Sequence, residues 1–242
     1  MKNSILIILV GLMSFNLLSS QNLAPLSKVE IKEINGITIY LLNGEKFDGI
    51  IYENYSDDKP KAKFHVSNGV REGVSEMYYN NGQLVEKLIY KNGVKDGAYK
   101  EYYENGQLRG KTSYKNDELE GPSEIYYENG VLKLKGELKN NNQEGICEEY
   151  FKNGTLKLKG NYTNDKKNGQ FEVYFENAKL SISSTYRNDE LNGISKKHYE
   201  NGQLMKIGNF KDGIKDGVFE NYNKKGKLIK REIYKNDIKI EE

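Results

Sequence analysis

GAYKEYYENGQLRGKTSYKND, residues 97–117, is one copy of a unit that returns along most of the chain. Its first residue has counterparts at 24-residue intervals: Gly49, Gly73, Gly97, Gly121, Gly145, Gly169, Gly193 and Gly217. A second ladder keeps the same register: Asn81-Gly82, Asn105-Gly106, Asn129-Gly130, Asn153-Gly154, Asn177-Ala178, Asn201-Gly202 and Lys225-Gly226. A third is Leu84, Leu108, Leu132, Leu156, Leu180, Leu204 and Leu228. A strict period of this length means a repeat array in which each unit is one supersecondary element stacked on the next.

Within a unit, with the recurring glycine as position 0, Asn-Gly at positions 8 and 9 is the strongest short hairpin signal, because a type I′ turn needs positive φ at both central residues. A two-residue loop there pairs position 6 with 11, 4 with 13, 2 with 15 and 0 with 17. Position 6 is aromatic in Tyr55, Tyr79, Tyr103, Tyr127, Phe151, Phe175 and Tyr199, and position 11 is the leucine ladder. Even positions of the first strand and odd positions of the second therefore share the expected core face. Position 17 carries Val66, Tyr90, Tyr114, Leu138, Tyr162, Tyr186, Phe210 and Tyr234. The glycine opposite either leaves bare backbone for that ring or supplies an unusual φ. On the other face position 3 meets position 14, as Glu76 with Lys87, Glu124 with Lys135, Glu148 with Lys159 and Glu220 with Arg231. Lys100 opposite Lys111 breaks that pattern. A second hairpin is expected to pair position 18 with 23, as in Lys91 with Asp96 and Lys115 with Glu120. The fold expected is all-β: an elongated single-layer antiparallel sheet of stacked β-hairpin repeats, about eight in number, with a 24-residue period. Sixteen strands at ~4.8 Å give a sheet on the order of 75 Å long.

The organisation expected is a leader at 1–20, a capping segment at 21–48 and the array at 49–240. Lys2, an apolar run through Leu18 and the small residues Ser19-Ser20 predict a secretory signal peptide cleaved before Gln21. That places the protein outside the cytoplasm of a bacterium, with no transmembrane span after cleavage. Residues 29–42 hold Asn35-Gly36 between alternating apolar runs, the pattern of a capping hairpin. Cys147 is the only cysteine, so no intrachain disulfide forms. Lys plus Arg number 37 against 35 Asp plus Glu, interspersed, which excludes a polybasic nucleic-acid surface.

The unit G-x-x-x-x-Y-Y-x-N-G-x-L…Y-K-N-G/D-x-x-x-G resembles the MORN-repeat variant of many bacterial proteins, over Gly49 to about Asp237. The resemblance implies β-hairpin units and a protein- or lipid-contacting scaffold, and in members described as YwqK-type antitoxins, a toxin partner. The Y-Y-x-N-G core is also similar to choline- or glucan-binding repeats, whose cages are built from Trp, a residue this chain lacks.

No phosphate loop, zinc spacing or paired-carboxylate site is present, so no enzyme, cofactor or metal is expected. His65 and His198 have no recurring partner, and Cys147 stands at position 2, where other units carry Ser75, Ser123 and Ser195. Asp96, Glu120, Glu144 and Asp216 recur at one position, and the lysine opposite each points to ion pairing rather than calcium. The candidate binding row is position 5: Tyr78, Tyr102, Tyr126, Tyr150, Tyr174, His198 and Tyr222. By alternation it lies on the solvated face, with Val85, Arg109, Lys133, Lys157 and Met205 opposite. It either grips an extended partner, a protein or envelope component or glycan, or packs as a second minor core. The function expected is an exported, non-enzymatic scaffold for protein–protein binding; the alternatives are an envelope- or glycan-binding module and an immunity protein that neutralises a toxin.

Overall fold

The computed structural model describes residues 22–241, so the leader expected at 1–20 and its cleavage before Gln21 lie outside the described residues. An open sheet of 19 strands dominates, with a separate three-stranded sheet beside it and no α-helix among the described residues. From Gly49–Asn54 to Ile238–Glu241 neighbouring strands follow chain order and are antiparallel. Val94–Tyr102 and Leu108–Lys115 are the two strands of the unit quoted above. The all-β array of stacked hairpins is therefore the fold the 24-residue period implies.

The two turn types are exchanged relative to the sequence reading. The type I′ turn lies at positions 19 and 20, where both residues have positive φ: Asn92 at 52° and Gly93 at 86°, Asn164 at 49° and Asp165 at 64°. At positions 8 and 9 only the second residue does, as in Gly106 at 83°. There Gly106 N–H donates to Tyr103 O at 2.8 Å and Tyr103 N–H to Gln107 O at 2.8 Å. That is a three-residue loop with glycine in the left-handed region closing it as a bulge. Asparagine is selected at position 8 for its side chain. Asn105 Oδ1 accepts the Gln107 N–H at 2.9 Å, and Asn81 Nδ2 donates to Glu104 O of the next unit at 2.8 Å.

The extra loop residue changes the register beside it. Lys111 still faces Lys100 and Tyr114 faces Gly97, but Leu108 faces Tyr102, not Tyr103, with a bulge at Arg109. The leucine ladder thus joins the position-5 row on the face opposite the core. The basic residues at position 12 turn to the core face, where Arg109 meets Glu101 at 2.6 Å and Lys157 meets Glu149 at 2.7 Å. The second hairpin is corrected too. Lys91 faces Val94 and Tyr90 faces Lys95, so Lys115 pairs with Asp96 of its own first hairpin, at 3.3 Å, not with Glu120.

The core face carries positions 2, 15 and 17. Phe171 lies edge-on between Tyr162 and Tyr186, and Phe219 between Phe210 and Tyr234, with each centroid separation 5.2 Å. Burying such a ring is worth about 1.5–3 kcal/mol. The bare backbone that accommodates the rings is at position 15: a Cβ on Gly160 would lie 2.2 Å from Phe171 and one on Gly208 2.1 Å from Phe219. The position-0 glycines serve the other purpose weighed above. At Gly121, φ is 86° and the nearest obstacle is Ser113 Oγ at 3.4 Å rather than the Tyr114 ring.

At the N-terminal margin Leu23–Pro25 runs parallel to Gly49–Asn54 and covers that sheet edge, where Pro25 has no N–H to offer. The hairpin of Glu30–Ile34 and Ile37–Leu42 packs beside it, and Ala24, Tyr40, Phe47, Ile51, Phe64 and Val66 form one buried cluster.

Position 9 is glycine in every unit except the first, which has Asp58, and the one that carries Ala178, which keeps φ at 62°. Left-handed backbone costs a non-glycine residue about 1–2 kcal/mol. Ala178→Gly is therefore expected to raise stability by about 1 kcal/mol, or about 2–4 °C in Tm for a chain of this size. A lower Tm would show that Ala178 makes compensating contacts.

Candidate functional site

The face opposite the core is built from three parallel rows, each running across the strands. The middle row is positions 3 and 14. Glu76 takes Lys63 at 2.9 Å and Lys87 at 2.8 Å, and Glu148 takes Lys135 at 2.8 Å and Lys159 at 3.0 Å. Each carboxylate thus bridges a lysine from the strand on either side, one of them in the preceding unit.

Beside it runs the position-5 row, and the structure brings Tyr78, Tyr102, Tyr126, Tyr150, Tyr174, His198 and Tyr222 onto this one face, all half-buried. Most of the hydroxyls are engaged. Tyr78 donates to Glu76 at 2.8 Å, Tyr150 to Glu148 at 2.6 Å, Tyr174 to Glu172 at 2.6 Å, Tyr222 to Glu220 at 2.6 Å, and Tyr126 to Glu124. Donating to a carboxylate opposes ionisation, so the Glu172 bond pushes the Tyr174 phenol up to about 12. Leu84, Leu132, Leu156, Leu180 and Leu228 are the cross-strand neighbours of Tyr78, Tyr126, Tyr150, Tyr174 and Tyr222. Ring and leucine lie side by side across the strands and leave the rings half-buried.

Position 6 turns to the core face and ties units together. Tyr55, Tyr79, Tyr103, Tyr127 and Tyr199 donate to the position-5 carbonyl of the next unit at 2.7, 3.0, 2.7, 2.8 and 2.9 Å. The position-5 backbone is held by its neighbour, and this fixes the row's spacing.

The third row went unread in the sequence. Position 1 exposes Ile146 at 56 %, Ile194 at 53 % and Val218 at 38 % of their surface. A hollow of about 420 Å³ lies over it, lined by Pro122, Glu124, Lys135, Ile146, Glu148 and Lys159. Its signal was available: positions 1, 3 and 5 share parity, and position 1 holds Ile50, Val74, Ala98, Pro122, Ile146, Ile194 and Val218, broken only by Gln170. Large apolar residues gathered on a solvated strand face make this row a candidate contact surface beside the tyrosines.

The charged row titrates. Hydrogen bonds from Lys135, Tyr150 and Lys159 hold the Glu148 carboxyl at about 2, below its ordinary 4.5. At Glu76 burial opposes ionisation, but Lys87, Lys63 and Tyr78 outweigh it and bring that carboxyl to about 2 as well. A carboxyl lowered by folding stabilises fully above its unfolded value and loses that contribution as pH falls through its folded one. Stability is therefore expected to decline between about pH 4.5 and 2, measured by denaturant unfolding, and Glu76→Gln/Glu148→Gln to flatten that slope. An unchanged slope would mean that other carboxyls set it.

Chemistry is sparse. Cys147 is buried against Gly136, and burial pushes its thiol up, away from nucleophilic use. Glu120 and Glu144 accept backbone N–H groups of Asn140 and Asn164, and Asp216 pairs with Lys235 at 3.0 Å. No group of metal-binding side chains occurs among the described residues.

The family model described as MORN repeat variant matches residues 71–92, 95–116, 119–140, 143–164, 191–212 and 215–236. The unmatched unit between the fourth and fifth matches carries Ala178 at its turn. No curated protein matches the chain.

Proposed function

Because the chain belongs to the MORN repeat variant family, a non-catalytic family of protein- or membrane-binding repeats, we propose that it is a non-enzymatic scaffold that binds an elongated protein along the three-row face. The observation carrying this reading is the set of exposed apolar residues Ile146, Ile194 and Val218, at one position of the unit and interrupted by Gln170, beside the charged and tyrosine rows. Flat, repeating surfaces match extended partners better than small molecules, which need enclosing pockets. Apolar residues rimmed by paired charges favour protein over glycan, which stacks on bare aromatic faces. In this reading residues 1–20 are a leader that exports the scaffold, 21–48 cap the array and 49–240 carry the binding face, the position-5 row included.

The test is affinity capture from envelope and cytosolic fractions, with identification of the recovered protein. Ile146→Asp/Ile194→Asp is expected to lose a partner that wild type and the opposite-face control Lys157→Ala both retain. Protein from the envelope fraction is expected to begin at Gln21. Retention of the partner by the double variant would remove the apolar row from the binding surface, and an intact Met1 would remove export.

A further inference from the structure

The charged row changes sign in the unit that begins at Gly97. Position 3 is glutamate in Glu76, Glu124, Glu148, Glu172 and Glu220 but lysine in Lys100, and position 14 on the strands to either side is Lys87 and Lys111. Lys100 is the direct cross-strand partner of both, so three ammonium side chains stand in line on adjacent strands of one face. Like charges directly opposite are destabilising in a sheet. The outer two lean away toward carboxylates, Lys87 to Glu76 at 2.8 Å and Lys111 to Glu124 at 2.9 Å. Lys100 makes no ion pair among the described residues. On the same strand the Tyr102 hydroxyl lacks the carboxylate that Tyr78, Tyr126 and Tyr150 each reach two residues back.

The neighbouring units show what this arrangement is built around. At Glu76 and at Glu148 one carboxylate takes two flanking lysines and a tyrosine hydroxyl. In the unit between Glu76 and Glu124 the lysines and the tyrosine are present and the carboxylate is not. The other unit with lysine at position 3, Lys196, differs. Ser183 and Ile207 flank it, so it forms no lysine line.

We propose that Lys87, Lys100, Lys111 and the Tyr102 hydroxyl form a site for a single carboxylate supplied by an acidic side chain of the protein partner. The inference rests on reading this face as a protein-binding surface. Charge selects the ligand: Lys87 and Lys111 each already hold a carboxylate, Glu76 and Glu124, so Lys100 is the one ammonium of the line without one, and a single carboxylate answers it. A phosphate dianion or an anionic lipid plane would also meet the two glutamates at its margins. Position selects it too, because the site lies between the apolar row and the tyrosine row, where an extended chain seated on Ile146 and its equivalents would present alternate side chains.

The experiment has two arms. In the first, Lys100→Glu is compared with wild type by thermal unfolding. This variant restores the pattern of the other units, so a rise in Tm is expected, and Tyr102→Phe is expected to remove part of it. This arm holds whatever the partner is. In the second, side-chain signals of Lys87, Lys100 and Lys111 are followed by NMR at low salt against a peptide of six glutamates, the equivalent glutamine peptide, inorganic phosphate, and vesicles of phosphatidylethanolamine and phosphatidylglycerol. Shifts confined to the three lysines and Tyr102 are expected with the glutamate peptide. Lys100→Glu is expected to weaken that binding by about tenfold or more, as befits losing a charge-assisted contact and adding a repulsive one. A Tm at or below wild type for Lys100→Glu overturns the missing-carboxylate argument. Equal response to the glutamine peptide, or response to vesicles or phosphate without response to the glutamate peptide, overturns the partner's chemistry. Loss of the partner by Lys100→Glu together with its retention by Ile146→Asp/Ile194→Asp upholds the carboxylate site and removes the apolar row alone.

Discussion

Gly208→Val is expected to destabilise the protein by about 3 kcal/mol or more, at the upper end of overpacking costs. A Cβ at Gly208 would lie 2.1 Å from Cε1 and 2.3 Å from Cδ1 of Phe219, a ring only 2 % exposed. Phe210 and Tyr234 hold that ring edge-on from both sides, each at 5.2 Å, so it cannot swing aside without breaking both contacts. The backbone at Gly208 is ordinary extended strand, which valine favours, so the cost is steric and not conformational. Two comparisons isolate it. Gly136 occupies the same position in another unit, but there a Cβ meets only Gln143 and Cys147 at 3.6–3.8 Å, so Gly136→Val is expected to be mild. Phe219→Ala alone should cost about 3–5 kcal/mol. In the Gly208→Val background it should cost far less, a coupling of about 2 kcal/mol or more. Equal penalties at Gly208 and Gly136 in denaturant unfolding would refute the ring-over-glycine packing.

Arg71→Ala is expected to cost about 2–4 kcal/mol and to release the N-terminal hairpin first, given charge-assisted bonds of about 1.5–3 kcal/mol and cation–π contacts of about 0.5–2. Arg71 Nε donates to the Tyr40 hydroxyl at 2.9 Å and Nη1 to the Tyr90 hydroxyl at 3.1 Å. Its guanidinium lies 4.3 Å from the Phe64 centroid. One side chain therefore joins the capping hairpin to two strands of the array. Lysine occupies the same position in other units, with Lys95 at 4.9 Å from the Tyr114 centroid and Lys215 at 4.4 Å from Tyr234. Arg71→Lys should accordingly keep the ring contact, lose the fork and fall between wild type and alanine. Hydrogen exchange at the Tyr40 amide, which bonds Gly69 O at 2.7 Å, reads the release directly. Wild-type protection of that amide in Arg71→Ala would show that the buried cluster around Ile51 holds the hairpin unaided.

Much of this architecture was legible because glycine, asparagine-glycine and leucine return at one spacing, and because Glu76–Lys87 and Glu148–Lys159 agree on one register. What was misread lies next to the turns. Two aromatic residues stand side by side at positions 5 and 6, and either can be placed opposite the leucine. Only the loop geometry decides, and a two-residue turn and a three-residue turn with a glycine bulge are both compatible with Asn-Gly. That single residue carried the leucines to the opposite face and Arg109, Lys133 and Lys157 to the core face, where Lys133 lies 5.8 Å from the Tyr127 centroid. Of the candidate binding surface, the tyrosine row was visible as a row. The apolar row beside it was not picked out because its members change between Ile, Val, Ala and Pro and are broken by Gln170, so no single letter announces it.

The bonds made at the position-6 and position-8 margin all run one way. Tyr55, Tyr79, Tyr103, Tyr127 and Tyr199 donate forward to the following unit, as do Asn81, Asn105, Asn129, Asn177 and Asn201. Their acceptors are main-chain carbonyls, which any sequence provides once it is extended. During vectorial synthesis, a unit that has already left the ribosome holds its donors ready, and the next needs only to emerge as backbone to be received. Growth in that direction would start at the capped N-terminal hairpin and lengthen the array as a zip closes, one tooth per 24 residues.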